Sequence, residues 1–545
     1  MKRALTFLAA AALVVACASP EKMARMAENV KVTCDPEVLE VVGGSIDPVV
    51  TVTFPKDYFN PNVVMEVTPV IVYQGGEAAG KVIKYQGENV KQNYKAIAKD
   101  GKKVTERLHF DYVKGMEKSR LELRAKVLSG KKSINLPTRK VADGANTTYM
   151  LVKRSGNVSF KPDNYQDVII DTKEGQIKYQ VNSSEVRGSE LKGTSVKEFL
   201  AALEEAAANE RATVTSTEIV AYASPEGKES HNNELSGNRG KSASKAWDQI
   251  TRNTDTVEPT VKSVGEDWEG FQELVAQSNL EDKDLILRVL SMYSDPAVRE
   301  NEIRNMSQVF TQLKGEVLPQ LRRARLIANV KIQNYTNEEL IDLLKNNEDV
   351  LDEEALLRAA SVVKDADQKE NIYRKAIEKF SSDRAMFNLA TLYLAQGKTE
   401  KAAAGFAELD EKDPDVLNAE GVVALRNNDL EKAADLFRKA GTDDAKKNLG
   451  IVHILSGQYD EAANELANVS GCCHNTVLAF ILTDQLDKAM SSAHCGDPKV
   501  WYLKAIIAAR KGNAAQVKTF LERAYANPAL KERAATDIEF SGYDI

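Results

Sequence analysis

A small group of polar and charged residues near the middle of the chain could bind a polar ligand. Arg239 and Asn232 lie on one predicted helix, and Ser224 and Glu226 lie in the turn that precedes it. A guanidinium can clamp a carboxylate through paired hydrogen bonds. A hydroxyl or a carboxylate can accept hydrogen bonds from an ammonium group. These residue types make the turn and the helix a candidate binding site.

The turn and the helix belong to a larger pattern of alternating strands and helices. Between residues 162 and 332 the order of predicted elements is β-α-β-α-β…β, and a long helical insertion at about 268–318 precedes the last strand. The predicted elements are strand 177–181, helix 196–208, strand 215–222, helix 232–250, strand 260–264 and strand 325–332. This order predicts an α+β domain in which the turn and helix lie beside a sheet.

The helix sequence N-x-x-L-S-x-x-R at 232–239 resembles the signature of OmpA-like peptidoglycan-binding domains. The resemblance implies an OmpA-like fold over 162–332 and a pocket for the diamino acid of the peptidoglycan stem peptide. Arg239 and Asn232 match the arginine and asparagine of that pocket. Ser224 stands where the family usually has an aspartate, which removes a charge-assisted contact worth about 1.5–3 kcal/mol. Glu226, or Glu229 further along the loop, is expected to compensate if the pocket binds its ligand.

Three arginines before the last strand stand where such domains also carry arginines, namely Arg322, Arg323 and Arg325. We include Arg323 and Arg325 among the predicted peptidoglycan-binding residues, with solvated surface charge as the alternative. Arg239 has an alternative too, since it could pair with a nearby carboxylate and simply hold the helix to the loop. In that case the domain would have lost peptidoglycan binding, and the protein would be a pure interaction scaffold of an outer-membrane complex.

The beginning of the chain predicts the compartment. Lys2 and Arg3 precede an apolar stretch that is too short to span a bilayer, and Val14-Val15-Ala16-Cys17 resembles the lipobox of bacterial lipoproteins. This resemblance implies a signal peptide at 1–16, lipid attached to Cys17 and a linker at 17–29. No acidic cluster follows the cysteine, which favours an outer-membrane lipoprotein that faces the periplasm.

Residues 30–160 have the alternation of short strands, with turns at Gly43-Gly44, Gly75-Gly76 and Asp100-Gly101. We predict an all-β antiparallel sandwich without a site of its own.

Residues 338–545 are helical and repetitive. Asn388-Leu389-Ala390, Tyr393, Gly397, Ala402, Phe406 and Pro414 match the tetratricopeptide pattern, and similar units recur to the end of the chain. The resemblance implies an all-α solenoid that recruits protein partners. The combination of an OmpA-like domain with such repeats in one lipoprotein resembles envelope proteins of Bacteroidetes.

Cys472-Cys473-His474 and His494-Cys495 form the remaining candidate cluster, with a zinc site, a disulfide of Cys495 and buried thiols as the alternatives. Adjacent cysteines lack metal-ligand spacing, so we predict no metal and no cofactor. The sequence has no nucleophile elbow, P-loop or zinc-protease motif, which argues against an enzyme. A net charge of -7 gives no support for nucleic-acid binding.

Overall fold

The computed structural model describes residues 19–252, 254, 256–280, 282–469 and 474–545. The predicted lipidation site at Cys17 and the cysteines at 472 and 473 lie outside these residues. The chain divides into two compact units. The first comprises the chain up to Lys161 together with Tyr373–Ile545, and the second is Pro162–Ile372. The β-region and most of the helical repeats therefore fold together, rather than as the separate parts that the sequence suggested.

The first unit begins with helix α1 (Pro20–Arg25) and thirteen short strands. Strand β5 pairs with β11 over ten residues at the centre of the larger sheet, in the order β2-β13-β11-β5-β7-β8. A second sheet has the order β1-β4-β9, and β3 pairs with β10. The strands are β1 (Lys31–Asp35), β2 (Val38–Glu40), β3 (Ser45–Ile46), β4 (Val49–Phe54), β5 (Val64–Tyr73), β6 (Gly76–Ala79), β7 (Ile83–Gly87), β8 (Lys95–Ile97), β9 (Lys102–Arg107), β10 (Phe110–Asp111), β11 (Ser119–Ser129), β12 (Lys132–Asn135) and β13 (Arg139–Asn146).

Two features differ from the predicted antiparallel sandwich. The pairs β2–β13 and β7–β8 are parallel, so the larger sheet is mixed. The sheets also end at Asn146 rather than near residue 160. After a short 3₁₀ helix at Thr148–Leu151 the chain is extended up to Lys161. Alternation alone could not reveal this, because an extended segment outside a sheet has the same two-residue period as a strand.

The second unit is built around a four-stranded sheet with the order β14-β17-β15-β16, in which only the β15–β16 pair is parallel. The observed order of strands and helices is the predicted one. The elements are β14 (Val168–Lys178), α2 (Gly188–Leu191), α3 (Thr194–Ala208), β15 (Ala212–Ala223), α4 (Glu229–Ile250), β16 (Thr260–Glu266), α5 (Trp268–Gln277), α6 (Lys283–Met292), α7 (Pro296–Asn305), α8 (Ser307–Glu316), α9 (Leu318–Leu321) and β17 (Arg323–Gln333). Helices α10 (Asn337–Asn346), α11 (Glu353–Val362) and α12 (Ala366–Phe380) follow, with a 3₁₀ turn at Glu348–Val350.

Helices α3 and α4 cover one face of this sheet. Phe199 of α3 packs 5.7 Å from Trp247 of α4, measured between ring centroids, and both are buried against alternate residues of the strands. The inserted helices α5 to α9 have a separate apolar core around Phe271 and Leu290. The sheet and the insertion together fix the turn between β15 and α4, which carries the predicted site.

The helical repeats form the rest of the first unit, and consecutive helices pack in antiparallel pairs as expected for tetratricopeptide repeats. Gly421 illustrates why small residues occupy the inner positions, since a Cβ atom there would lie 2.5 Å from the ring of Phe437 on the paired helix. The helices are α13 (Asp383–Ala395), α14 (Thr399–Phe406), α15 (Pro414–Arg426), α16 (Leu430–Ala440), α17 (Asp443–Leu455), α18 (Tyr459–Ala467), α19 (His474–Leu482), α20 (Leu486–Ser492), α21 (Pro498–Arg510), α22 (Ala514–Ala524) and α23 (Pro528–Ala534), with a final 3₁₀ turn at Ile538–Phe540.

The β-sheets contact the end of this array directly. Glu539 accepts hydrogen bonds from Asn146 and Thr148, each at 2.9 Å, and forms an ion pair with Arg510 at 2.5 Å. The backbone carbonyl of Thr147 accepts a hydrogen bond from Arg533. These buried polar contacts explain why the sheets and the array form one compact unit.

Candidate binding sites

Arg239 lies on the buried face of α4, together with Asn232, Ser236 and Ala243. Its side chain is almost completely buried, and its guanidinium donates to three backbone carbonyls. The acceptors are Ser183 at 2.9 Å, Tyr222 at 2.8 Å and Gln180 at 3.1 Å. Burial lowers the pKa of Arg239 to about 10, and the nearby Tyr179 opposes this shift. Arg239 therefore ties the end of β14 and the end of β15 to the helix, and its donors are turned inward.

Ser224 and Glu226 lie together in the turn after β15. The Ser224 hydroxyl donates to the Glu226 carboxylate at 2.6 Å. Arg322, just before β17, contacts the same carboxylate oxygen through Nη2 at 2.9 Å and Nε at 3.0 Å. Arg304 of the inserted helix α7 donates to the Glu226 backbone carbonyl at 2.9 Å. The Glu226 carboxylate, which was expected to compensate for the missing aspartate, is thus already paired with an arginine.

Asn232 is also held internally. Its side-chain amide donates to Glu266 at 2.8 Å and, more weakly, to the carbonyl of Ser224 at 3.4 Å. Glu266 in turn accepts a hydrogen bond from the Trp268 indole at 2.9 Å. Asn232 and Ser224 therefore belong to one buried polar network at the end of β15.

Arg323 and Arg325 pair outside that network. Both alternate along β17 with the core residues Ala324 and Leu326, so they lie on the other face of the sheet from α3 and α4. Arg323 contacts Asp267 at 2.8 Å, and Arg325 contacts Glu174 at 2.7 Å. Of the three arginines, only Arg322 contacts Glu226. Sequence alone could not select it, because a shift of one residue along a strand reverses the face.

The network has the two charges that a zwitterionic ligand requires. Glu226 and Arg322 form an ion pair whose side chains are only 19% and 11% exposed. A bound amino acid could replace that pair by placing its ammonium on Glu226 and its carboxylate on Arg322. The ligand would have to compete with an existing ion pair, which lowers its net gain in free energy.

A second site lies in the array and was not predicted. Residues 152–161, which we call the strap, form neither helix nor strand, bend at Ser155, and lie along the helices α13, α15, α17 and α19. Four buried asparagines about 30 residues apart, one on each of these helices, grip the strap backbone. They are Asn388, Asn418, Asn448 and Asn475.

Three of these asparagines form two-way hydrogen bonds with a strap residue. Asn475 accepts from the Lys153 backbone N–H at 2.9 Å and donates to its carbonyl at 3.0 Å. Asn448 makes the same pair with Asn157, at 2.7 and 2.8 Å. Asn388 makes it with Lys161, at 2.7 and 2.9 Å.

The fourth asparagine reinforces the central contact. Asn418 donates to the Asn157 carbonyl at 3.0 Å and accepts from Asn448 at 2.8 Å. Each two-way pair satisfies a backbone N–H and a carbonyl that would otherwise lack partners in the groove. The strap is therefore bound as a peptide ligand would be, in an order opposite to that of the repeats.

Side chains of the strap add charged contacts. The Lys153 ammonium lies 2.5 Å from Asp497, and the Lys161 ammonium pairs closely with Asp413. Asp497 and Asp413 are the N-cap residues of α21 and α15. Burial alone would raise the pKa of both aspartates, but the lysines and backbone N–H donors lower it below the ordinary value. Each lysine ammonium therefore pairs with an aspartate of the repeat that follows the one whose asparagine binds its backbone.

Gly156 allows the strap to approach the helices. Its φ is +74°, and a Cβ atom there would lie 2.6 Å from Val422 of α15. Only glycine combines this backbone conformation with such a close contact at little cost. The strap sequence is thus matched to its groove in shape as well as in charge.

The signal for this site was present in the sequence as an asparagine at an equivalent place in four successive repeats. It was missed because the tetratricopeptide pattern is defined by small and bulky packing residues, among which a polar residue has no assigned role. The ligand was missed because the strap was included in the predicted sandwich.

The cysteines and histidines of the array are not a metal site in the part that the structure describes. Cys495 is disulfide-bonded, which excludes the zinc and free-thiol alternatives for this residue, while Cys34 is free and buried. No group of three or more His, Cys, Asp or Glu side chains suited to a metal occurs among the described residues. His474 instead contacts the end of the 3₁₀ helix that precedes the strap, where its Nε2 lies 2.7 Å from the Leu151 carbonyl.

Comparison with known proteins gives structural likenesses at low sequence identity. No family model matches the chain, and no curated protein matches it. A tetratricopeptide repeat protein from Parabacteroides merdae is similar at 16% identity, over 37% of this chain and 91% of that one, with a TM-score of 0.30. The pilF protein of Pseudomonas aeruginosa (15% identity, 36% and 94%, TM-score 0.26) and yeast Tom70 (12%, 64% and 79%, 0.27) are further examples. These likenesses concern the helical repeat fold.

We expect His474 to make the first unit sensitive to mild acid. Burial, the largest cause, lowers the pKa of His474 to about 4 from its ordinary 6.5, while the Leu151 carbonyl opposes the shift. The unfolded chain therefore takes up a proton that the folded chain does not, and stability falls between pH 6.5 and 4 by up to about 3 kcal/mol. His474→Gln keeps an amide donor for Leu151 but cannot titrate, so urea unfolding of this variant should depend less on pH.

His231→Gln is the matched control, since His231 is exposed on α4 of the other unit. The assignment fails if His474→Gln and wild type lose stability in parallel as the pH falls.

Proposed function

We propose that this protein is a non-enzymatic, lipid-anchored scaffold of a bacterial cell envelope that holds extended polypeptide in the groove of its tetratricopeptide array. The four buried asparagines of the array, Asn388, Asn418, Asn448 and Asn475, which we call the asparagine ladder, carry this proposal. Side chains buried in four successive repeats are directed at the backbone of an extended segment, and this is what a peptide-holding surface requires.

The type of contact favours holding over chemical transformation. An asparagine side chain offers a donor and an acceptor, so it can pair with any peptide unit regardless of the attached side chain. Each such bond contributes only about 1 kcal/mol, but several in a fixed register bind a segment firmly and in one orientation.

The anchor in this proposal is Cys17. Among the helices that the structure describes, none combines the length and hydropathy of a membrane-spanning segment. The lipobox-like sequence Val14-Val15-Ala16-Cys17 supports attachment through lipid, and two or more acyl chains suffice for stable anchoring. The linker that follows would leave both units on the periplasmic side of the outer membrane.

Peptidoglycan binding is a second candidate function of the 162–372 unit, and the Glu226–Arg322 pair favours it. The two charges lie at the end of β15 beside the residues that match the family signature, and they complement the ammonium and carboxylate of a diamino acid. The alternative remains a scaffold whose α/β domain uses this pair only to close its own turn.

Cys17→Ala should release the protein from the membrane. Without the thiol no lipid can be attached, so we expect the variant in the soluble periplasmic fraction and the wild type in the outer-membrane fraction. Cys34→Ala is the control, because Cys34 is a free thiol buried within strand β1. Retention of Cys17→Ala in the membrane fraction would contradict the anchor.

The held strap predicts slow amide exchange in an extended segment. In hydrogen–deuterium exchange of the full chain, peptides covering 152–161 should be protected. Asn448→Ala removes both hydrogen bonds between Asn448 and the Asn157 backbone, and also the bond that Asn448 donates to Asn418, so exchange of the strap should accelerate by about tenfold or more. Asn464→Ala, an exposed substitution on α18, should leave it unchanged. If the wild-type strap exchanges as fast as an unstructured peptide, the array does not hold it and the proposed scaffold fails.

Sedimentation with purified peptidoglycan tests the second candidate. Glu226→Gln or Arg322→Gln should reduce binding of the mature chain by ten- to a hundred-fold, because each removes one charge-assisted contact. Arg187→Gln, which disrupts an exposed ion pair with Glu190, is the matched control. Arg239→Ala is a poor probe, since it would leave three backbone carbonyls without their donor. If the wild type stays in the supernatant, peptidoglycan binding is excluded; if both variants sediment like wild type, the pocket is wrongly assigned.

A further inference from the structure

The strap shows which ligand the groove accepts. Lys153, Asn157 and Lys161 are the three residues paired with asparagines, and they are four positions apart. Their partners are Asn475, Asn448 and Asn388, which lie on four successive repeats together with Asn418, the second partner of the Asn157 carbonyl. Eight residues of the strap therefore reach across four repeats, and these contacts fix both the direction and the register of a ligand.

The groove also selects charge. Asp413 and Asp497 pair with the two lysines, and Asp415 lies 3.8 Å from the Lys161 ammonium. Asp444 accepts a hydrogen bond from the Ser159 hydroxyl at 2.6 Å. The Lys161 ammonium also lies 5.0 Å from the ring centre of Phe387. An acidic groove with an aromatic face at one end is complementary to a basic segment.

We propose that the groove is a binding site for an extended basic segment of a partner protein, with cationic residues eight positions apart and a small polar residue midway. The strap is the built-in occupant of this site, and the partner binds by displacing it. This inference rests on the proposed function, because it assumes that the asparagine ladder holds polypeptide.

Because the strap of the same chain already occupies the groove, a partner must have a high affinity to displace it. A segment tethered on the same chain competes at an effective concentration in the millimolar range, so a free peptide of equal intrinsic affinity binds only weakly. A partner must therefore exceed the strap in contacts, or act where the strap has been loosened.

The test uses fluorescence anisotropy with a labelled peptide of residues 150–163 and a second peptide in which both lysines are glutamate. Four full-length proteins are compared: wild type, a variant whose residues 152–161 are a ten-residue Gly/Ser linker, that variant with Asn388→Ala and Asn448→Ala, and Lys153→Glu/Lys161→Glu. The control for the last is Lys103→Glu/Lys131→Glu, which makes the same charge change at exposed sites of the β-region.

We expect the linker variant to bind the lysine peptide at least about tenfold more tightly than wild type, since its competitor is gone. The linker variant should bind the glutamate peptide about tenfold or more weakly than the lysine peptide. The asparagine variant should bind the lysine peptide about tenfold or more weakly than the linker variant does. If the linker variant does not fold, as judged by circular dichroism and thermal unfolding, Lys153→Glu/Lys161→Glu should show the same gain and its control should not.

A folded protein with an open groove that fails to bind the lysine peptide, or binds both peptides equally, overturns the inference. That result would leave the proposed scaffold intact if the wild-type strap is protected from amide exchange. An unprotected strap would instead remove the proposed function itself.

Discussion

The pairing of asparagine side chains with a peptide backbone is the interaction on which the first unit depends. An extended segment laid against helices leaves every other N–H and carbonyl facing a surface that has no free backbone groups. A ladder of buried amides solves this problem, because each supplies a donor and an acceptor at the correct separation. The strap can then cross four repeats without a β-sheet, and it connects the sheets to the array along most of the length of the groove.

The second unit uses the same principle with a charge in place of an amide. Arg239 is buried, yet it has a backbone carbonyl for each of its three donating nitrogens, so the cost of removing the guanidinium from water is offset by hydrogen bonds. Glu226 and Arg322 neutralise each other in the adjoining turn. A sequence signature associated with ligand binding is thus compatible with a site whose polar groups already satisfy one another.

Periodicity predicted the elements of the α/β unit and the helical repeats because each has a buried face that recurs at a fixed spacing. It could not predict the strap, since the same extended spacing occurs in strands and in bound peptides. The partners of Ser224 and Arg322 were likewise inaccessible. They depend on a turn, a strand end and an inserted helix that are distant in sequence, and no local pattern records that proximity. The chemistry of the residues was predictable, but their pairing was not.

The direction of the strap has a consequence for how the chain is made. The strap is complete long before the ribosome reaches the array, so the repeats form in the presence of their own ligand. Because the strap runs opposite to the repeats, Asn388 emerges first and meets the residue nearest to it along the chain, Lys161. Each later repeat meets a residue further back, at Asn157 and then at Lys153. The array can thus close upon the strap one repeat at a time as the chain emerges N-terminus first, with no need to thread a finished groove.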